Sequence, residues 1–204
     1  MKKRFFAPIA LLGLAALLTT SCSKVPQAEI DAANAAIEQA KSAGADIYVH
    51  EDFVALQDSL NSVMVNVESQ KSKFIKNYST AKESLVGVTQ YAAEVNQLAE
   101  VRKEELRVKV QTTIAEVKAL IESNRQLILE APKGKEGTSA LLAIKGEVDA
   151  IETSIVETST LFEAGDYLAT LDKANAAKEK AMSINTELTT VIEKYKSNVK
   201  ARKS

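Results

Sequence analysis

Beyond residue 25 the apolar side chains recur at three- and four-residue steps, and strict alternation is rare, so the pattern predicts helices and almost no strand. Pro26 suits a first helical turn, and from there to Ala43 the residues Ile30, Ala33, Ile37 and Ala40 share one narrow face whose alanines permit close approach. A turn is predicted over Gly44-Ala45-Asp46-Ile47-Tyr48-Val49. From about Glu51 the period resumes through Phe53, Leu56, Leu60, Val63, Val67 and Phe74, the seam of a helix packed lengthwise on its neighbours.

Lys76-Asn77-Tyr78-Ser79 breaks the seam, and Thr80 with Glu83 three residues later reads as a capping box that opens a new helix. From there to Ala131 the only glycine is Gly87 and proline is absent, so an uninterrupted helix is expected, about 75 Å long at 1.5 Å per residue. Leu85, Val88, Val95 and Leu98 supply the apolar face of its first half, and Leu106, Val110, Ile114, Val117 and Ile121 that of its second. Between them Arg102-Lys103-Glu104-Glu105 marks either a solvated section or a bend.

Pro132-Lys133-Gly134-Lys135-Glu136-Gly137-Thr138 is predicted as a loop, with Ser139 capping the helix that carries Leu141, Ile144, Val148, Ile151, Ile155 and Phe162. Glu163 to Tyr167 turns the chain into a last helix running to about Val199, with Leu171, Ala174, Ala181, Leu188, Val191 and Tyr195 inward. The expected fold is therefore all-α: an elongated antiparallel helical bundle of about five helices with one long central helix. Residues 28–131 are expected to form a helical hairpin plus the long helix, and residues 132–204 a C-terminal hairpin packing on it.

Composition agrees with helix. The 204 residues include 7 Gly, 3 Pro and no Trp, and aromatic residues make up 5%, too few for the packing of a sandwich or barrel. Helices need neither aromatic nor β-branched residues.

The first residues carry a different signal. Met1-Lys2-Lys3-Arg4 is a positive segment, and Phe5 to Leu18 is an apolar run of about fourteen residues, the length of a signal-peptide core and short of the roughly twenty needed to span a bilayer. It leads to Leu18-Thr19-Thr20-Ser21-Cys22-Ser23. This sequence resembles the lipobox of bacterial lipoproteins, in which small residues precede a cysteine that becomes the mature N-terminus, although Thr19 stands where leucine is usual and Leu18 lies beside it. The resemblance implies a signal peptide over residues 1–21, lipid attachment at Cys22 and a lipidated tether over 22–27. Acyl chains at about 0.8 kcal/mol per buried methylene would then hold the chain to a membrane.

Cysteine usage points the same way. Cys22 is the only cysteine, so no internal disulfide can form, and acylation removes a thiol that an oxidising compartment would leave exposed. In lipoproteins of enteric-type bacteria an Asp after the cysteine resembles an inner-membrane retention signal. Ser23 stands there instead, and the expected address is the cell envelope, lipid-anchored at the outer membrane and facing the periplasm.

Removing Lys2, Lys3 and Arg4 with the leader leaves 23 of the 26 basic residues against 27 acidic ones, a net charge of −4. No basic field remains to gather nucleic acid, and none is expected as a partner.

Two turns look alike: Asn77-Tyr78-Ser79-Thr80-Ala81 and Gly165-Asp166-Tyr167-Leu168-Ala169 each place a tyrosine after a small polar residue, and Ala45-Asp46-Ile47-Tyr48 is a looser third copy. They are similar to the inter-helix turn of tetratricopeptide-like repeats. The stretch from about Ala28 to Leu85 also resembles a functionally uncharacterised family of bacterial envelope proteins, a resemblance that carries no activity with it.

Catalytic chemistry finds little to use. His50 is the only histidine, so a His-based triad has no second candidate and a zinc site lacks His and Cys ligands, and no metal and no cofactor are expected. His50 stands before Glu51-Asp52 at a helix head, where the acids favour the helix dipole. Gly134-Lys135-Glu136-Gly137 lacks the spacing of a phosphate loop. Tyr48, Tyr78 and Tyr167 are the candidate interaction surface; as turn tyrosines they can equally pack on adjacent helices. The basic tail, Lys194 to Lys203, can touch the cell wall or simply end a helix.

These features lead to the expectation of a non-enzymatic envelope lipoprotein, a structural or protein-interaction scaffold with a protein partner or self-association. The alternative is a periplasmic or surface module built on helical hairpins that binds a peptide, glycan or lipid.

Overall fold

The computed structural model describes residues 24–202, which form six helices and no strand. In chain order they are α1 (Gln27–Ser42), α2 (Ala45–Tyr48), α3 (His50–Lys71), α4 (Ser79–Glu130), α5 (Lys135–Glu163) and α6 (Tyr167–Ala201). The fold is all-α, and α4, with 52 residues, is the long helix that the sequence predicts. Leu18, Thr19, Thr20, Ser21, Cys22 and Lys203 lie outside the described residues.

The chain divides into two compact units, one comprising residues up to Ser42 with His50–Asn96, the other Ala43–Val49 with Gln97 onward. The division falls inside α4 and not at the loop after Ala131, because α4 contributes its apolar face to both cores in turn.

In the first unit, α1 buries Ile30, Ala33, Ile37 and Ala40 and packs on α3, which buries Phe53, Leu56 and Val67. The early part of α4 buries Ala81, Leu85, Val88, Ala92 and Val95, a strict four-three repeat, with each large aliphatic side chain stabilising by roughly 1.5–3 kcal/mol. Lys82 Nζ lies 3.0 Å from Glu29 Oε1, joining α4 to α1, and the Tyr91 hydroxyl donates to the Asp52 carbonyl at 3.3 Å, joining α4 to α3.

The second unit is built on Val117 and Ile121 of α4, Val148, Ile151 and Ile155 of α5, and Ala177, Ala181, Ile184, Leu188 and Ile192 of α6. Short connections at residues 131–134 and 164–166 make α5 antiparallel to α4 and α6 antiparallel to α5.

Several expected details are corrected. A one-turn helix, α2, replaces part of the predicted turn: Gly44 takes a left-handed φ of 88°, and Ala45 is fully buried behind it. Phe74 is not in the α3 seam. The helix ends at Lys71, where Ser72 Oγ donates to the Ser69 carbonyl and the Lys73 N–H to that of Gln70, and Phe74 and Ile75 are left exposed.

Helix α4 opens one residue before Thr80, and its start is held by Asn77, whose Oδ1 accepts from Ser79 N at 3.0 Å and from Ser79 Oγ at 2.8 Å, instead of by a Thr80–Glu83 box. Helix α5 begins at Lys135, ahead of Ser139, with Thr138 N bonded to the Gly134 carbonyl at 3.0 Å.

Arg102 to Glu105 is a solvated section without a break: Arg102 pairs with Glu105 at 2.8 Å and Arg107 with Glu104 at 2.6 Å along an unbroken helix. On α6 the inward residue is Ile192, 4% exposed. Val191 and Tyr195 face outward, at 44% and 52% exposure.

Candidate functional site

The three candidate tyrosines meet different fates. Tyr78 belongs to the first unit and is fully buried, so it offers no surface, and its hydroxyl has no hydrogen-bond partner among the described residues. Tyr48 and Tyr167 belong to the second unit and come together at the α5–α6 turn. The Tyr48 hydroxyl donates to the Gly165 carbonyl at 3.4 Å, and Tyr167 packs on Phe162 with ring centroids 5.3 Å apart. Gly165 takes a φ of 80°, and Asp166 caps α6 by accepting from Ala169 N at 3.1 Å.

Burial pushes the Tyr48 phenol above its usual value, and the nearby Tyr167 and Asp166 push it the same way. The depression beside it, lined by Ile47, Tyr48, Arg102, Glu105, Leu106, Lys109 and Leu168, encloses about 270 Å³, below the size of most small-molecule sites.

A larger feature lies elsewhere in the second unit. Helices α5 and α6 leave between them an open groove of about 550 Å³. Its floor is Ile151, Ala177 and Ile184, which also belong to the core, while exposed Ala150, Ala176 and Ser183 keep its walls low. Glu147, Lys173, Lys180 and Glu187 form its rim. None of these four charges is paired with another described residue.

The opposite side of the hairpin, toward α4, differs. Arg125 bonds Glu122 at 2.9 Å and Glu152 at 2.6 Å, and Lys178 bonds Glu116 at 2.6 Å. Inside that face Asn124 is fully buried; its side-chain nitrogen donates to the Ala181 carbonyl at 2.8 Å, and its oxygen accepts from Asn185 at 2.8 Å. Charge and polarity are thus satisfied where α4 meets the hairpin and left open on the groove.

No family model, no curated protein and no solved structure matches the chain.

What the arrangement can do chemically follows from its own residues. Among the described residues no cluster of His, Cys, Asp or Glu could hold a metal ion, and His50 is exposed at the head of α3. No helix among them is long and apolar enough to cross a membrane. The basic tail is partly engaged, with Lys196 3.7 Å from Glu130.

The groove is absent from the sequence expectations, although its signal is present in the chain. On α6 Lys173, Lys180 and Glu187 are spaced by sevens with small residues between them, which puts three charges on one stripe flanking an apolar floor. Asn124, falling in step with Val117 and Ile121, was the corresponding signal for the buried polar link.

Proposed function

We propose that the chain is a lipoprotein of the bacterial cell envelope, anchored through acyl groups on Cys22, that works as a non-enzymatic scaffold and engages a protein partner along the α5–α6 groove. The address rests on the lipobox-like leader. The interaction role rests on one observation: the groove has an apolar floor and four unpaired charges on its rim, whereas the charges on the α4 side of the same hairpin are matched internally. Apolar ground with a polar rim is the make-up of a protein-binding surface.

Two measurements test the two parts. Growth with a fatty-acid analogue should label the native chain and leave Cys22→Ser unlabelled and released from membranes; an unlabelled native chain, or a Cys22→Ser chain that still sediments with membranes, refutes the anchor. A photo-crosslinking residue placed at Ser183 in the intact cell should give one discrete protein adduct, and the same residue at Thr112, exposed on α4, should not. No adduct at Ser183 refutes the interaction role.

A further inference from the structure

We infer that the occupant of the α5–α6 groove is a second copy of this chain, docked antiparallel about a two-fold axis that passes near Ala150 and Ser183. The inference rests on the groove being an interaction surface, as proposed above, and names its partner.

The argument starts from the levels of the two helices. On α4, Asn124 contacts Ala181 and Asn185 of α6, while its neighbour Arg125 reaches Glu152 at 2.6 Å and Asp149 at 3.7 Å on α5. Residues 149–152 of α5 therefore stand level with residues 181–185 of α6. Because the two helices are antiparallel, Glu147 stands level with Glu187, and Ala150 with Ser183.

The rim is consequently polarised. Both glutamates lie at the end away from the α5–α6 turn, and both lysines, Lys180 and Lys173, lie toward it. From Lys173 to Glu187 the groove runs about 21 Å along α6 at 1.5 Å per residue.

A surface with opposite charges at its two ends and small residues between them is complementary to itself after a half-turn. A two-fold interface demands such self-complementarity, because each residue of the patch meets the patch again in reverse order. With the axis at Ala150 and Ser183, where small side chains permit close approach, Lys180 of one copy comes level with Glu147 and Glu187 of the other. Val191 then comes level with Ala176, and Tyr195 with Lys173, where an aromatic face attracts an ammonium group.

This placement accounts for a feature the fold does not explain. Val191 and Tyr195 continue the groove's stripe on α6 beyond Glu187, and both are exposed, although the sequence pattern marks them as inward. A parallel second copy, by contrast, sets glutamate on glutamate and lysine on lysine.

The experiment uses the full chain, both native and with Cys22→Ser, so that failure of the acyl anchor and failure of the dimer are read separately. Ser183→Cys should form a disulfide-linked dimer under mild oxidation in both backgrounds, and Thr112→Cys in the Cys22→Ser background should not.

Glu147→Lys with Glu187→Lys should weaken dimerisation at least about tenfold by sedimentation equilibrium, Lys180→Glu should weaken it likewise, and mixing the two charge-reversed proteins should restore it as a heterodimer. Restoration on mixing also shows that both variants are folded. A native chain that stays a single copy at the highest concentration reached, reversed variants that dimerise as well as the native chain, or a Ser183 adduct with a different protein overturns the inference.

Discussion

The side-chain amide of Asn124 on α4 donates a 2.8 Å hydrogen bond to the backbone carbonyl of Ala181 on α6, in a place closed to solvent on both sides. The Ala181 carbonyl already lies within a helix, so the bond is an addition to the helical ladder, and its geometry fixes the height of α6 along α4. Asn185 completes the link through the Asn124 oxygen.

Removing that amide separates stability from register. Asn124→Ala should lower the stability of the chain to urea by about 2 kcal/mol, through a cavity and lost hydrogen bonds. Asn124→Leu should cost less than about 1 kcal/mol, because an apolar side chain suits the site, yet allow α6 to slide, as loss of a buried asparagine does in coiled coils. Urea melts give the first pair of values, and a broadened amide spectrum of Asn124→Leu gives the slide.

Tyr78 carries the opposite lesson. Its ring is wholly buried while its hydroxyl has no partner among the described residues, which leaves the oxygen desolvated without compensation from them. Tyr78→Phe should therefore stabilise the chain by roughly 1 kcal/mol, whereas Tyr78→Ala should cost about 3–5 kcal/mol in lost packing. Equal destabilisation by both would contradict the burial of an unpaired hydroxyl.

The Tyr48–Gly165 contact should respond to alkaline pH. Burial raises the Tyr48 phenol above its ordinary value of 10.0, so the folded state favours the protonated form. The stability it contributes is complete below that ordinary value and is lost as pH rises through the higher folded value. Tyr48→Phe should flatten this decline in thermal melts taken across the alkaline range. Gly44→Ala should cost roughly 2 kcal/mol, since a Cβ there would lie 2.8 Å from the Tyr48 ring on a backbone with φ of 88°.

Two other glycines should differ in sign. Gly87 lies within α4 with open space where a Cβ would be, so Gly87→Ala should stabilise by about 0.5–1 kcal/mol. Gly137 lies in the first turn of α5, where a Cβ would come 2.9 Å from the Pro132 carbonyl oxygen, a rigid backbone atom. Gly137→Ala should destabilise, and paired melting curves decide both.

Much of this fold could be read from the chain. The long α4 follows from fifty residues with one glycine and no proline, and the α5–α6 turn from Gly165-Asp166-Tyr167, whose glycine takes the left-handed conformation and whose aspartate caps the next helix. Helix α2, with four residues, is a single turn and has no period to detect.

Val191 and Ile192 both continue the apolar steps from Leu188, at three and four residues. Only packing separates them. Of the candidate site, the meeting of Tyr48 with the Tyr167 turn was invisible because it joins residues far apart in the chain. Of the groove, the α6 stripe of Lys173, Lys180 and Glu187 is legible in the chain but its pairing with Glu147 of α5 is not, since the charges acquire an arrangement only once Asn124 and Arg125 have set the heights of two other helices.

The bond between Tyr48 and Gly165 spans 117 positions of sequence. Whichever way the chain is delivered, N-terminus first, α2 arrives well before the turn that seats it. Until then the second unit is an unfinished object with its first piece already issued, and any agent that holds unfolded chains has that interval in which to act on residues 43–49 before the fold closes over them.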